Sequence, residues 1–225
     1  MDKDDLGSKI FGWVGTALAL YFYIAPCVPF YKVIKGTMTW QESPGALLIC
    51  SFLNCILWSD YGLIRDQFSV YLANGIGGTI TLIYITIYLI HLAERKILLS
   101  LFYNFFLMCC IVEIYFIFYY LVPSKVTGII ANVFNVLMYA APGEKITRVI
   151  KTQDYKLIPI FSTIGGLFCS LCWLIYGIYQ KDWKLYVPNA LGLFFAILQV
   201  VVYLIYYLKN KKNNISFPDE NDDVV

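Results

Sequence analysis

Seven long runs of apolar residues, separated by short polar connections, account for most of the chain. They cover residues 10–31, 44–64, 70–92, 97–121, 126–141, 159–179 and 185–208. An α-helix needs about 20 residues to cross the hydrocarbon core of a bilayer, and most of the runs reach that length. The fifth run is shorter, so we expect its helix to continue past Pro142 to Ile146. The pattern predicts an all-α integral membrane protein with seven transmembrane helices.

The composition supports a membrane protein and argues against several other classes. Hydrophobic residues make up 60% of the chain and charged residues 14%, whereas a soluble domain is about half apolar and about a quarter charged. All seven cysteines fall in apolar runs, and an odd number there is not a disulfide framework. With one histidine and a net charge of +2, we expect no metal, no other cofactor and no nucleic-acid partner.

The lysines and arginines are distributed unequally between the two sides of the predicted bundle. Eleven lie on the side of the connection after the first run and six on the other side. The side with the excess faces the cytosol. This predicts an extracellular N-terminus over residues 1–9 and a polar, disordered cytosolic tail over residues 209–225. We expect the plasma membrane as the location, with the Golgi or another endomembrane as the alternative.

Two stretches of the chain repeat each other 115 positions apart. The first contains Trp58, Tyr61, Gly62, Tyr71, Asn74 and Gly77, and the second contains Trp173, Tyr176, Gly177, Tyr186, Asn189 and Gly192. A shift of 116 positions aligns Ala25-Pro26 with Ala141-Pro142. A match of so many rare residues indicates an internal duplication.

The duplication defines the predicted domains. A first three-helix repeat covers residues 10–92, a second covers residues 126–208, and a linker helix covers residues 97–121. Both copies begin on the same face of the membrane because they start at the first and the fifth run. The two repeats are therefore parallel, and the unpaired fourth helix turns the second copy into the orientation of the first. Two like units side by side imply a central path between them.

Taken together, these features resemble the SWEET sugar transporters (MtN3/saliva type) of the PQ-loop superfamily. The resemblance rests on the Trp-x-x-Tyr-Gly and Asn residues of both halves and on one proline in each of the first, second, fifth and sixth runs. The Pro-Gln pair that names the superfamily is absent from both repeats. The resemblance implies facilitative, bidirectional transport of a small sugar by alternating access.

The repeated amides and indoles are the candidates for contact with the sugar. Asn74 and Asn189 fall mid-membrane, where a polar group without partners is costly. An amide can both donate to and accept from sugar hydroxyls, although a bond that only joins two helices is the alternative role. Trp58 and Trp173 offer a flat apolar surface to the C–H face of a sugar, and a position at the membrane interface is their alternative.

Four further residues are predicted to form the walls of the pocket. Asn54 and Cys169 lie one helical turn from the two tryptophans and on the same helix faces. Phe22 and Met138 each lie four residues before a proline. Because Trp58, Trp173, Phe22 and Met138 are all bulky, the cavity should be small, which favours a glucose-like monosaccharide over a disaccharide.

The remaining candidates concern motion. Four intramembrane prolines each remove a helix hydrogen bond and permit a bend. By the resemblance they form a hinge on the cytosolic side, and they are Pro26, Pro44, Pro142 and Pro159. Tyr61, Tyr176 and Asp60 are candidates for a gate near the outer end. Asp60 and Glu113 are the intramembrane acids, and a structural role is the alternative for both.

Two other functions compete with sugar uniport. A proton-coupled PQ-loop carrier of amino acids or another solute would need a titratable group in the path, and only Asp60 is placed to serve. A receptor for peptide carboxylates would need a basic pocket, yet the runs contain essentially no lysine or arginine. The sequence contains neither a paired-carboxylate site nor a Ser/His/Asp set, so we do not expect an enzyme. The partners we expect are a sugar and the lipid bilayer, with room left for a homo-oligomer.

Overall fold

The computed structural model of the protein describes residues 3–35, 45–92 and 119–213. Within these ranges the chain is helical and has no strand. The helices are α1 (Lys3–Ile24), α2 (Cys27–Ile34), α3 (Gly45–Ile64), α4 (Phe68–Leu92), α5 (Ser124–Met138), α6 (Ala140–Thr152), α7 (Ile160–Tyr179) and α8 (Trp183–Lys212), with a 3-10 turn at Tyr155–Leu157. Outside the described residues lie Pro44, Glu113, the tail beyond residue 213 and most of the fourth predicted helix.

Four helical spans in the described ranges are long and apolar enough to cross a membrane. They are Phe68–Ile90, Ser124–Thr152, Ile160–Tyr179 and Trp183–Lys212, and the apolar part of α3, Leu48–Ile64, is slightly shorter. All five correspond to predicted runs.

The first predicted run does not form one continuous helix. It divides into α1 and α2 at a turn that contains Ala25 and Pro26. Pro26 has no N–H and cannot continue the hydrogen-bond ladder, while its carbonyl accepts from the Phe30 amide at 3.1 Å to begin the next turns. The interruption falls at a proline that the sequence predicts to permit a bend.

The fifth predicted run is divided in a similar way. α5 ends at Met138 and α6 begins at Ala140, with Tyr139 in the turn between them. The expectation that the helix continues past Pro142 is confirmed, because α6 extends to Thr152. The interruption itself falls three residues before the proline.

The described helices group into two compact units. Unit 1 comprises residues 1–18 and 139–225, and unit 2 comprises residues 19–138. The boundary cuts α1 after Leu18, so the N-terminal part of α1 packs with the last helices of the chain. The units therefore follow packing and do not coincide with the predicted sequence copies, 10–92 and 126–208.

Each unit is held together by a long helix pair that meets closely at a glycine. In unit 2, a Cβ on Gly62 of α3 would lie 2.6 Å from the backbone nitrogen of Tyr71 in α4. In unit 1, a Cβ on Gly177 of α7 would lie 2.7 Å from the backbone nitrogen of Tyr186 in α8. The absence of a side chain at these two positions lets the backbones approach.

Candidate functional site

Asn74 lies in the second turn of α4, in unit 2. Its Nδ2 donates a hydrogen bond to the carbonyl oxygen of Val70, one turn earlier, at 2.8 Å. Its Oδ1 accepts a longer hydrogen bond, 3.5 Å, from the hydroxyl of Tyr23 in α1. The Asn74 side chain is half-buried. Each of its two polar atoms has a hydrogen-bond partner.

Asn189 occupies the corresponding place in α8, in unit 1. Its Nδ2 also bonds to the carbonyl oxygen one turn earlier, that of Leu185, at 2.7 Å. Within the described part of the chain its Oδ1 has no hydrogen-bond partner. The two repeat-related amides thus share the same backbone bond and differ at the oxygen.

Two tyrosines complete these surroundings, and sequence reasoning missed them. Tyr23 and Tyr139 lie 116 positions apart, each three residues before an aligned proline. The Tyr139 hydroxyl donates to the carbonyl oxygen of Pro188, next to Asn189, at 2.6 Å. The signal that could have found them is their fixed distance from Pro26 and Pro142.

The two candidate tryptophans differ in burial. The Trp58 side chain in α3 is 5% exposed, whereas the Trp173 side chain in α7 is half-buried. Each ring meets the tyrosine of its own Trp-x-x-Tyr motif edge to face, with centroids 5.5 Å apart for Trp58–Tyr61 and 5.4 Å apart for Trp173–Tyr176. The local aromatic geometry is the same in both copies.

The N-terminal part of α1 lies along α7 within unit 1, and we call this contact the α1–α7 seam. A Cβ on Gly15 would lie 3.1–3.3 Å from the Trp173 indole, and one on Gly7 would lie 2.7 Å from the Tyr179 ring. The Gln180 amide donates to the hydroxyl oxygen of Ser8 at 2.7 Å. The seam joins small residues of α1 to large residues of α7.

The four predicted wall residues divide between the units. Asn54, Phe22 and Met138 belong to unit 2, and Cys169 belongs to unit 1. Asn54 is buried, and its Oδ1 has no hydrogen-bond partner among the described residues. Phe22, Met138 and Cys169 are half-buried. Their role as walls of a single pocket stays a prediction.

Three of the four hinge prolines lie at helix interruptions or helix starts. Pro26 is in the turn between α1 and α2, Pro142 is in the first turn of α6, and Pro159 directly precedes α7. All three positions tolerate a residue without an N–H. Pro44 immediately precedes the first described residue of α3. A hinge function stays a prediction for all four.

The predicted gate residues are buried within their units. Tyr61 is 1% exposed and Asp60 is 0% exposed, both in α3, and Tyr176 is also buried. Neither carboxylate oxygen of Asp60 has a hydrogen-bond partner among the described residues. Helix α5, which corresponds to the fifth run, packs on α3, and its Thr127 and Ala131 are buried. The part of Tyr61, Asp60 and Tyr176 in a gate stays a prediction.

The structure therefore brings the candidates together in two groups. Unit 2 holds Trp58, Asn54, Asn74, Tyr23 and their neighbours, and unit 1 holds Trp173, Cys169, Asn189 and Tyr139. Each group combines an amide, an indole and a phenol, which can bind a neutral polar ligand through hydrogen bonds and an apolar face. In the described ranges, no three residues among His, Cys, Asp and Glu are placed to hold a metal.

Comparisons with known proteins assign the family. The model of a family described as "Sugar efflux transporter for intercellular exchange" matches this chain twice, over residues 9–96 and 125–212. The bidirectional sugar transporter SWEET5 of Arabidopsis thaliana is 30% identical over 95% of this chain and 91% of its own length. The bidirectional sugar transporter SWEET1a of Oryza sativa subsp. japonica is 32% identical over 87% of this chain and 74% of its own length.

A solved structure supports the same assignment at the level of the fold. The 3.7 Å structure of a eukaryotic SWEET transporter superposes with a TM-score of 0.79 at 22% identity, covering 92% of this chain and 100% of the other. It confirms the predicted all-α membrane fold. The two matched stretches together exceed half of the chain, and they leave the connecting residues 97–124 outside. The chain belongs to the MtN3/SWEET family, a family of transporters and not of enzymes.

Proposed function

We propose that the chain is a facilitative, bidirectional transporter of small, glucose-like sugars that works by alternating access. The observation that carries this proposal is that each compact unit holds the same set of an asparagine, a tryptophan and a tyrosine on matching helices. The family membership supports the substrate class, since the relatives are named as bidirectional sugar transporters. In this proposal, Asn74 and Asn189 are both sugar-binding residues.

The chemistry of the two amides suits a sugar. Each Nδ2 uses one hydrogen on the carbonyl of its own helix and keeps a second hydrogen for a ligand. Each Oδ1 can accept a hydrogen bond from a sugar hydroxyl. A hydroxyl both donates and accepts, so an amide can bind it in two ways without any change of charge.

The α1–α7 seam supports a role in alternating access. Such a cycle requires contacts that close one end of the path in one state and separate in the other. The contacts of the seam include glycine–aromatic contacts, the stacked rings of Phe11 and Tyr179, and a neutral hydrogen bond, Ser8–Gln180. These can separate without leaving a buried charge unpaired, which would be costly. We therefore assign the seam to the closed end, where Trp173 lies against Gly15.

The proposed preference for monosaccharides rests on side-chain size. Trp58, Trp173, Phe22 and Met138 are all large, and none has a small residue as its repeat counterpart. Walls of this kind leave room for one sugar ring. In a disaccharide, the second ring would have to displace at least one of these side chains.

The proposed location is the plasma membrane, with the N-terminus outside and the C-terminus in the cytosol. Basic residues are concentrated at one end of unit 1, where the last turn of α6 contains Lys151 and the last turn of α8 contains Lys209, Lys211 and Lys212. Such a concentration is typical of the cytosolic face.

Uptake of a panel of radiolabelled sugars by transport-deficient yeast tests the proposal. We expect glucose uptake that runs in either direction along the sugar gradient. Asn74→Ala and Asn189→Ala should each abolish it while surface expression, measured by labelling of intact cells, stays normal. Absence of uptake of every sugar by a well-expressed wild-type chain would refute the proposed function.

A further inference from the structure

Tyr139 is fixed against the helix turn that carries Asn189. Its hydroxyl donates to the Pro188 carbonyl at 2.6 Å, and its ring stacks on Phe195 with centroids 5.6 Å apart. A Cβ on Gly192 would lie 2.8 Å from the Tyr139 hydroxyl oxygen and 2.9 Å from Oγ of Ser170. The contact is possible because residue 192 has no side chain, and it holds the phenol one residue away from the amide.

Tyr23 occupies the equivalent place beside Asn74, because Gly77 is the repeat counterpart of Gly192. A Cβ on Gly77 would overlap the Tyr23 ring. The Tyr23 hydroxyl accepts a hydrogen bond from Cys55 Sγ at 3.2 Å, and Cys55 is the counterpart of Ser170. The same four positions, one tyrosine, one glycine, one asparagine and one small polar residue, thus recur in both units.

The two hydroxyl groups nevertheless donate to different acceptors. Tyr139 donates to a backbone carbonyl, and Asn189 Oδ1 is left to a ligand. Tyr23 donates to Asn74 Oδ1 itself, at 3.5 Å. The first bond is short and the second is at the long limit of hydrogen-bond geometry, so the Tyr23–Asn74 bond is the easier one to exchange.

We propose that Tyr23 and Tyr139 are positioning residues with opposite effects on sugar binding. Tyr139 supports binding, because it fixes the turn that presents Asn189. Tyr23 opposes binding, because its hydroxyl occupies the Asn74 oxygen until a sugar hydroxyl replaces it. The inference rests on the proposed function and deepens it, since it gives the two tyrosines opposite effects on sugar binding.

Phenylalanine substitutions separate the hydroxyl from the ring. Tyr139→Phe and Tyr23→Phe keep the ring against the glycine and remove only the donor. One hydrogen bond changes an equilibrium by about twofold to tenfold. We expect Tyr139→Phe to raise the KM for glucose by about that factor. We expect Tyr23→Phe to lower KM by about twofold, at the small end because the bond is long.

The measurement is glucose counterflow in proteoliposomes, with KM and kcat determined separately for each variant. Tyr84→Phe is the matched control, because the Tyr84 hydroxyl donates to the Ile24 carbonyl at 3.3 Å in the same unit. Tyr84 lies ten residues along α4 from Asn74, about 15 Å away, so its KM should equal that of the wild type. Opposite shifts of KM in the two test variants, with an unchanged control, support the proposal.

Shifts in the same direction, or no shift in either test variant, would overturn the proposal. A purely structural role would lower the thermal stability of a variant and leave KM unchanged, which also counts against it. Failure of the proposed function is a separate result, because it would show as a wild-type protein without counterflow.

Discussion

The contact of Gly62 with α4 gives a prediction whose size follows from the structure. A Cβ on residue 62 would lie 2.6 Å from the backbone nitrogen of Tyr71 and 3.0 Å from its Cβ. Ordinary contacts begin at 3.4 Å, so α4 would have to move by about 0.8 Å. Overpacking of this kind costs about 1–3 kcal/mol, and alanine returns up to about 1 kcal/mol through helix propensity. We expect Gly62→Ala to lower the free energy of unfolding by about 1–2 kcal/mol.

Thermal unfolding of the purified protein in one detergent, followed by circular dichroism, measures this effect. For a chain of this size we expect a lower midpoint, by about 2–8 °C. Gly177→Ala should behave alike, because its Cβ would lie 2.7 Å from the Tyr186 nitrogen. Gly75→Ala is the control, since its Cβ would meet only Ser59 Oγ at 3.6 Å. Equal midpoints for Gly62→Ala and Gly75→Ala would refute the reasoning.

Three further predictions concern transport. Asn189→Ala should weaken glucose binding to the purified protein more than Asn74→Ala, because Asn74 Oδ1 already accepts a hydrogen bond from Tyr23; equal dissociation constants for the two variants would contradict this. Phe22→Val combined with Met138→Val should admit sucrose, measured as labelled sucrose uptake, and robust sucrose uptake by the wild type would show that the walls do not set the size limit. A protonophore should leave glucose counterflow by the wild type unchanged, whereas coupling to protons that disappears in Asp60→Asn would establish the proton-coupled alternative.

Much of the fold could be predicted because lipid imposes a strong pattern on sequence. Every helix that crosses hydrocarbon must be apolar for about 20 residues, so the runs were visible. The matched Asn and Trp residues were visible because these residue types are infrequent in apolar runs. The interruption of the first run was not predicted, although it falls at Pro26, which has no N–H.

The surroundings of the asparagines were less readable. The chain contains 19 tyrosines, so Tyr23 and Tyr139 did not stand out, and their partners come from distant parts of the sequence. Trp58 and Trp173 look equivalent in sequence and are not equally buried, because burial depends on which helix packs against them. The α1–α7 seam was invisible for the same reason. A small residue such as Gly15 has no signature until its neighbour is known.

The division of α1 after Leu18 has a consequence for how such a chain could arise. Unit 1 includes residues 10–18, which belong to the first sequence copy, so the second copy alone cannot build the whole unit. A protein made of a single copy would be stable only as a dimer in which the two chains exchange the ends of their first helices. Fusion of two genes for such a protein would fix that exchange within one polypeptide. For the same reason, fragments cut within the linker should fold when they are expressed together and fail when they are expressed singly.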